Sequence, residues 1–374
     1  MAGLYIHIPF CAQKCIYCDF FSGTNINRSR HYIDAVCCEM KEYKTFFDTD
    51  SLQTIYFGGG TPSVLTLEEI ERILECIHST FDTKNVSEVT LEANPDNLSY
   101  EYLLGLEMLG INRLSIGVQS FNDDDLQWMR RQHNAEQAIC AVKYASRVGF
   151  NNVSVDLIFG LPHQTTKDID GYIRVVSDLG VQHVSAYSLT IESRLLKTMV
   201  ATGRVALPSD DEYALLFQAV SEGLEKNGYY QYEISNYARR GFESQHNRAY
   251  WSQTPYLGIG AGAYSFDGVQ RWSNIAHTDK YINKLNADES VRTIEELSAD
   301  ELFNEYVFTS LRKSEGIDLQ ECKLRYGEKK YNVLLSSAQR FIASGHLKLL
   351  SETLSLTKQG IYISDMIMSD LMIV

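Results

Sequence analysis

The chain alternates between two periods of apolar residues. Short runs with every second residue apolar are each followed by a segment whose apolar residues fall at three- and four-residue steps. Residues 4–8 form the first run, and Pro9 ends it. Segment 30–47 then carries Tyr32, Ile33, Val36, Cys37, Met40 and Tyr43 on one helical face. Ser51–Phe57, Glu88–Ala93, Arg113–Gln119, Asn152–Ile158 and His183–Leu189 read as five more strands. The helices between them have punctuation at their ends. Thr66 is an N-cap with Glu69 in the capping-box position, and that helix runs to about residue 80. Ser99 caps the next, which Gly110 ends. A helix near 122–129, one over 133–148 closed by Gly149, and one over 167–179 closed by Gly180 complete the set. Six strand–helix units in series predict an α/β protein with a parallel sheet and helical crossovers. A closed eight-stranded barrel needs two further units, so the expectation is an open, incomplete barrel.

Beyond residue 190 the pattern changes. Asp210–Asn227 is a long helix with Tyr213, Leu216, Phe217, Val220 and Leu224 on one face. Tyr229–Ser235 reads as a short strand, and 236–275 as ordered functional loops without a steady period. From about residue 290 a small module begins. Helices are expected over 298–311, 318–326 and 330–344, then a two-stranded wing over 345–350 and 354–363. This divides the chain into 1–200, 201–290 and 291–374, the last winged-helix-like. The mixed charge of that module suits a lid or docking element better than a DNA reader.

Composition narrows the classes. The 374 residues carry a formal net charge of −14, which disfavours non-specific nucleic-acid binding through a broad positive field. The first residues lack the pattern of a secretory signal, and no apolar stretch is long enough to span a bilayer. A cytoplasmic setting is therefore expected, in which the 8 cysteines serve metals or clusters rather than disulfides.

The candidate chemistry begins right after the first strand. Cys11, Cys15 and Cys18 share one short loop. Clustered thiolates suit iron–sulfur clusters, zinc or copper. Three thiolates on a [4Fe-4S] cubane leave one iron open, to which a chelating amino-acid ligand can bind. A catalytic zinc site with a distant fourth ligand, or redox thiols, are the alternatives. Ligands in parallel α/β folds gather at the carboxyl ends of the strands. Gly58, Gly59, Gly60, Thr61 and Pro62 follow strand two; Glu92, Gln119 and Asp156 sit at or near the ends of strands three, four and five. Arg131 is placed to neutralise a carboxylate. Residues 246–251, His246-Asn247-Arg248-Ala249-Tyr250-Trp251, combine a potential axial iron ligand, an amide and two aromatics able to stack on a macrocycle.

The spacing C-x3-C-x2-C, with an aromatic before the last cysteine, resembles the signature of the radical S-adenosylmethionine (SAM) superfamily. The wider string YIHIPFC…CxYCDF resembles the branch of oxygen-independent coproporphyrinogen III oxidase and its haem-chaperone relatives. That resemblance implies a (β/α)6 partial TIM barrel, a [4Fe-4S] cluster on Cys11, Cys15 and Cys18, and SAM as cofactor. By the same resemblance Tyr5, Gly59 and Glu92 match residues contacting the SAM bound at the cluster. Tyr17, Gly60, Thr61, Gln119, Arg131 and Asp156 match positions that hold a second SAM in the oxidase. Phe20 stands where the oxidase has a further cysteine, and the chain reaches its first strand directly at Leu4. The HNRAYW string matches the HNxxYW motif of the haem chaperones, and YEISNYA and YLGIGAGAYS resemble the same branch. The implied protein binds haem through His246, Asn247, Tyr250 and Trp251 and passes it to an acceptor protein, with an electron donor for the cluster. It has no membrane span, though transient association with membrane acceptor proteins fits. The alternative is a radical SAM enzyme acting on a porphyrin.

Overall fold

The computed structural model describes residues 2–47 and 51–373. Met1, residues 48–50 and Val374, which the expected divisions span, lie outside the described residues. Six strands lie side by side in chain order, all parallel: β1 (Ala2–Ile8), β2 (Leu52–Gly59), β3 (Glu88–Ala93), β4 (Arg113–Gln119), β5 (Val153–Phe159) and β6 (His183–Ser188). The crossovers are α1 (Ser29–Glu42), α2 (Leu67–Thr80), α3 (Tyr100–Met108), α4 (Asp123–Trp128) followed by α5 (Ala135–Val148), and α6 (Thr166–Asp178). The Thr66–Glu69 capping box forms as expected. Helix α1 stops five residues before the expected end at 47. There Tyr43, Phe46 and Phe47 leave the helix to pack edge-on with each other, and Phe46 also with Trp272.

Alternation sorts each strand into two faces. Leu4, Ile6 and Ile8 of β1, Ile55 and Phe57 of β2, and Leu114, Ile116 and Val118 of β4 are fully buried among the helices. Each such side chain contributes at most about 1.5–3 kcal/mol of burial free energy. The opposite face is polar. It carries Thr54 and Tyr56, Glu88 and Glu92, Arg113 and Ser115, Ser154 and Asp156, and His183 and Ser185. A sheet that buries an apolar outer face and a polar inner face must either satisfy the inner one or use it.

After β6 come α7 (Arg194–Ala201) and α8 (Asp210–Lys226), the second packed on α6. Helix α7 escaped the sequence reading because its two turns are too short to establish a period. The strand expected over 229–235 is two pieces, β7 (Tyr230–Gln231) and β8 (Asn236–Ala238); β8 pairs antiparallel with β6, and β7 antiparallel with β8 at the edge. Segment 236–275, expected as loops, is largely regular. Besides β8 it contains α9 (Gln245–Trp251), β9 (Tyr256–Ile259), β10 (Tyr264–Phe266) and β11 (Arg271–Asn274). β9 pairs parallel with β1, and β10, β11 and, after α10 (Thr278–Asn286), β12 (Arg292–Glu295) extend that edge antiparallel. These strands of three or four residues hold too few alternations to be read from sequence. The twelve-stranded sheet stays open, with β12 and β7 at its edges. Glu39 on α1 fastens the extension: it accepts from Gly260 N, Asn274 Nδ2 and Tyr281 Oη.

The remainder has its own core, including Phe303, Val307, Leu311, Leu334, Leu354, Ile367 and Leu371. It comprises α11 (Ala299–Arg312), β13 (Ile317–Asp318), α12 (Leu319–Ala343), β14 (Leu347–Leu350), β15 (Thr353–Leu356), α13 (Lys358–Ile361) and α14 (Ser364–Leu371). Gly327, at φ 82°, breaks α12 into the two expected helices. The expected hairpin is present with β13 as a third strand, but its second strand ends at Leu356 and the chain turns helical again.

Candidate functional site

A cavity of about 790 Å³ opens over the carboxyl ends of the strands. Its wall contains Cys11, Cys15 and Cys18, and it also contains Tyr17, Gly59, Gly60, Thr61, Glu92, Gln119, Arg131, Asp156 and Asn247. Among the residues singled out from sequence, Tyr5, His246, Tyr250 and Trp251 are not part of the lining.

The cysteine loop is anchored at both ends. Cys11 N donates to Gly23 O (2.9 Å), and Ile16 N donates to Met129 O (3.4 Å). Among the described residues, no three His, Cys, Asp or Glu side chains converge on a single metal ion. In a cubane each thiolate holds a different iron, so its sulfurs need not converge, and these three fit it better than one zinc ion. Two polar side chains reach the sulfurs: Thr61 Oγ1 donates to Cys11 Sγ (3.4 Å), and Arg131 Nη1 to Cys15 Sγ (3.5 Å). Asn94 joins them, accepting from Arg131 Nη2 (2.6 Å) and donating to Thr61 (3.5 Å). Donors to cysteine sulfur stabilise its anionic form and tune a bound cluster. Burial pushes the Cys18 thiol up in pKa, a cost that a metal bond removes.

The glycine run does more than turn the chain. Gly59 sits at φ +113°, where a Cβ would lie 2.6 Å from the His7 ring. A Cβ on Gly60 would meet Phe10 O at 2.7 Å and Cys11 Sγ at 3.0 Å. Bare backbone is therefore required for β2 to pass beneath the cysteine loop, and it leaves main-chain groups on the cavity wall. Glu92 accepts from Tyr56 Oη (2.7 Å) and Gly59 N (3.2 Å). Burial raises its pKa to about 7. Asp156 accepts from Ser115 Oγ (3.2 Å), and burial raises it too. Gln119 holds φ +70° at the end of β4, where the β4–β5 register shifts. A non-glycine residue there costs on the order of 1 kcal/mol and turns the side chain toward the cavity.

His246 itself is elsewhere. Helix α9 closes the amino end of the barrel. Glu88, at the start of β3, accepts from Gln245 N (2.9 Å) and His246 N (3.0 Å). His246 is 1% exposed. Its Nδ1 shares a hydrogen bond with Thr54 Oγ1 (2.7 Å) and its Nε2 one with Tyr250 Oη (3.1 Å). Its ring stacks on Tyr56 with centroids 4.9 Å apart. Neither nitrogen is open to an iron in this arrangement. Tyr5 lies between the two levels, bonded to His7 Nδ1 (3.1 Å) and stacked on Tyr56.

Comparison with known proteins decides the family. Residues 5–176 match the model of the radical SAM superfamily, and 297–363 match the HemN C-terminal domain. The heme chaperone HemW of Bacillus subtilis is 35% identical over 96% of this chain and 96% of its own length. That of Lactococcus lactis is 36% identical, over 86% and 84%. The chain belongs to the HemW family of radical SAM proteins. Its fold is also that of coproporphyrinogen III oxidase (HemN) from Escherichia coli, with a TM-score of 0.85 over 99% of this chain and 89% of that one at 22% identity.

In a radical SAM protein the polar inner face acquires a purpose. Sequence reasoning overlooked Arg113, 1% exposed in mid-barrel, whose charge opposes the effect of burial on Glu92 and Asp156. It also missed Asn94, Tyr56 and the serines Ser115 and Ser185. The signal was present: the inward positions Glu88, Thr90 and Glu92 of β3, Arg113, Ser115 and Gln119 of β4, and Ser154 and Asp156 of β5 are polar, a pattern that a purely structural buried strand does not need. The cavity lining includes no histidine or methionine, but it offers Tyr187, Tyr213, Phe217 and Tyr362 as flat apolar surfaces.

Proposed function

We propose that this chain is a haem chaperone that holds a [4Fe-4S] cluster on Cys11, Cys15 and Cys18, takes SAM at the adjoining strand ends, and delivers haem to an acceptor protein. The observation that carries this reading is the relationship, at 35% identity over 96% of both chains, to a protein named as a heme chaperone. Phe20 at the position of the oxidase's extra cysteine supports it. When bound, the cluster supplies an electron for reductive cleavage of SAM. The chain's own part is to position it. Gly59 and Gly60 present main-chain groups, Glu92 and Asp156 accept from amino or hydroxyl groups, Arg131 secures the cysteine loop, and Tyr17, Thr61 and Gln119 shape the wall. The cavity's aromatic wall suits a macrocycle, whereas ligation by His246 requires α9 to leave the barrel floor.

The chain works in the cytoplasm in this reading, with an electron donor and a haem acceptor as partners and no nucleic acid. No helix among the described residues is long and apolar enough to cross a membrane, and an acceptor at the membrane surface is compatible with that. Residues 1–200 form the barrel, 201–290 its extension, and 291–374 a winged-helix-like lid or docking module.

The test sets chaperone against oxidase. Reconstituted protein titrated with haem should give a saturable Soret shift. Given reductant, SAM and coproporphyrinogen III without oxygen, it should form no protoporphyrinogen IX over many turnovers. Steady formation of that product would replace the chaperone reading with the enzymatic one.

A further inference from the structure

Among the described residues, four cations line the cavity: Lys14, Arg113, Arg131 and Arg312. Arg131 spends its guanidinium on Cys15, Asn94 and Gly117 O. Arg113 lines the cavity too, but it is 1% exposed and its charge is set against Glu92 and Asp156, and Lys14 belongs to the cysteine loop. Arg312, the last residue of α11, also lines the cavity, with its side chain 19% exposed. Its guanidinium lies 4.6 Å over the Trp251 ring and 5.5 Å from the Phe308 ring centroid. It forms an ion pair with the buried Glu233, whose Oε2 stands 3.6 Å from Nη2, without a hydrogen bond between them. Arg312 Nε and Glu233 Oε2 are both buried without a hydrogen-bond partner among the described residues. Glu233 Oε1 is fully used by Ser235 N (2.9 Å) and Asn236 Nδ2 (2.5 Å). The main chain is fixed as well, Arg312 O accepting from Ile234 N (3.1 Å).

A guanidinium next to two aromatic rings on a cavity wall, with no side-chain hydrogen bond among the described residues, is a fork that matches a carboxylate. Asn247 lines the same cavity one helical turn before Trp251, hence on the same face of α9, and adds an amide donor beside it. Glu233 and Asp365, both near this wall, limit the negative charge that it tolerates. A planar, singly charged carboxylate is favoured over a phosphate.

We propose that Arg312, with Asn247, is a carboxylate-binding site that anchors one propionate of a tetrapyrrole in the cavity. This rests on the haem reading above and gives the HNRAYW segment a role through Asn247 and Trp251 rather than through an iron ligand.

The test compares iron protoporphyrin IX with its dimethyl ester, which keeps the ring and iron but has no carboxylate. Wild-type protein should bind the diacid about tenfold more tightly than the diester, the scale of one hydrogen-bonded charge. Arg312→Gln should lose that preference by weakening the diacid alone, and Arg312→Lys, which keeps the charge without the fork, should fall between. Cluster content and the far-UV spectrum monitor folding. If Arg312→Gln does not fold, the wild-type preference and the Lys variant decide. An undiminished preference in the variants overturns the Arg312 site and leaves the haem reading standing. Failure of the wild-type chain to bind either ligand overturns both.

Discussion

The two ends of the barrel are built from the same polar inner face and differ in what completes it. At the amino end the carboxylate and histidines are answered by the protein. Glu88 takes two helix N–H groups, and His183 bonds Ser154 (2.7 Å) through one nitrogen and Tyr232 (2.8 Å) through the other. His246 is likewise closed on both sides. At the carboxyl end Glu92 and Asp156 have protein donors as well, but together with Gln119 and three cysteines they line the cavity. Burial of a polar residue is thus a poor marker of function. The marker is whether the side chain reaches a cavity that a ligand can enter. By that measure the histidine that looked most like a ligand in the sequence is part of the floor, and the glutamate above it lines the cavity.

That contrast can be broken or sharpened by four changes. The largest effect belongs to the mouth. Cys18→Ala should lose most of the roughly four irons and four sulfides of a reconstituted cubane, with apoprotein stability changed by less than about 1 kcal/mol. Full loading of the variant would remove Cys18 from the ligand set. His246→Ala should do the reverse. It strands Thr54 and Tyr250 and opens a void under Tyr56, costing about 2–4 kcal/mol in denaturant unfolding. A variant of wild-type stability whose haem spectrum alone changes would return His246 to the role of ligand.

The ends should also titrate in opposite directions. Burial lifts Glu92 from 4.5 to about 7, so its stabilising contribution is complete below pH 4.5 and is lost as pH rises through 7. Burial pushes His246 from 6.5 to about 3, so its contribution is complete above pH 6.5 and is lost as pH falls toward 3. Relative to wild-type apoprotein, Glu92→Gln should therefore gain on the order of 3 kcal/mol between pH 4.5 and 7. A difference independent of pH would mean that Glu92 ionises normally. The smallest effect is expected at Phe20, 69% exposed beside the cysteines. Phe20→Ala should move the unfolding midpoint by no more than about 0.5 kcal/mol equivalent, while a larger loss would give the mouth a structural share.

The strands and crossovers of the barrel were legible because each is long enough for its period to show, and because caps such as Thr66 with Glu69 mark their ends. The cysteine loop and the polar strand ends were legible for a second reason: their residue types are costly there without a use. The placement of His246 was not. A local string gives no sign that Glu88, 158 residues earlier, takes its backbone N–H, or that Thr54 and Tyr56 enclose its ring. Arg312 was invisible for the same reason, since its meaning comes from Trp251 and Glu233, which the fold brings to it. The short strands β8 to β11 escaped because sheet pairing, not local alternation, defines them.

The position of β1 bears on how the protein is made. β1 leaves the ribosome before β2 and β9, and it ends in the middle of the sheet between them. Its second edge is covered only when residues 256–259 arrive. At synthesis rates of roughly 5–20 residues per second, that edge stays unpaired for roughly 10–50 s. During that interval α1, which follows the cysteine loop, still lacks Gly260 and Ala261, whose N–H groups bond Glu39 and Tyr32 in the finished fold. An exposed strand edge next to reactive thiols is a hazard for aggregation and oxidation alike. The nascent chain should therefore depend on shielding early in translation, and cluster insertion should follow closure of that seam.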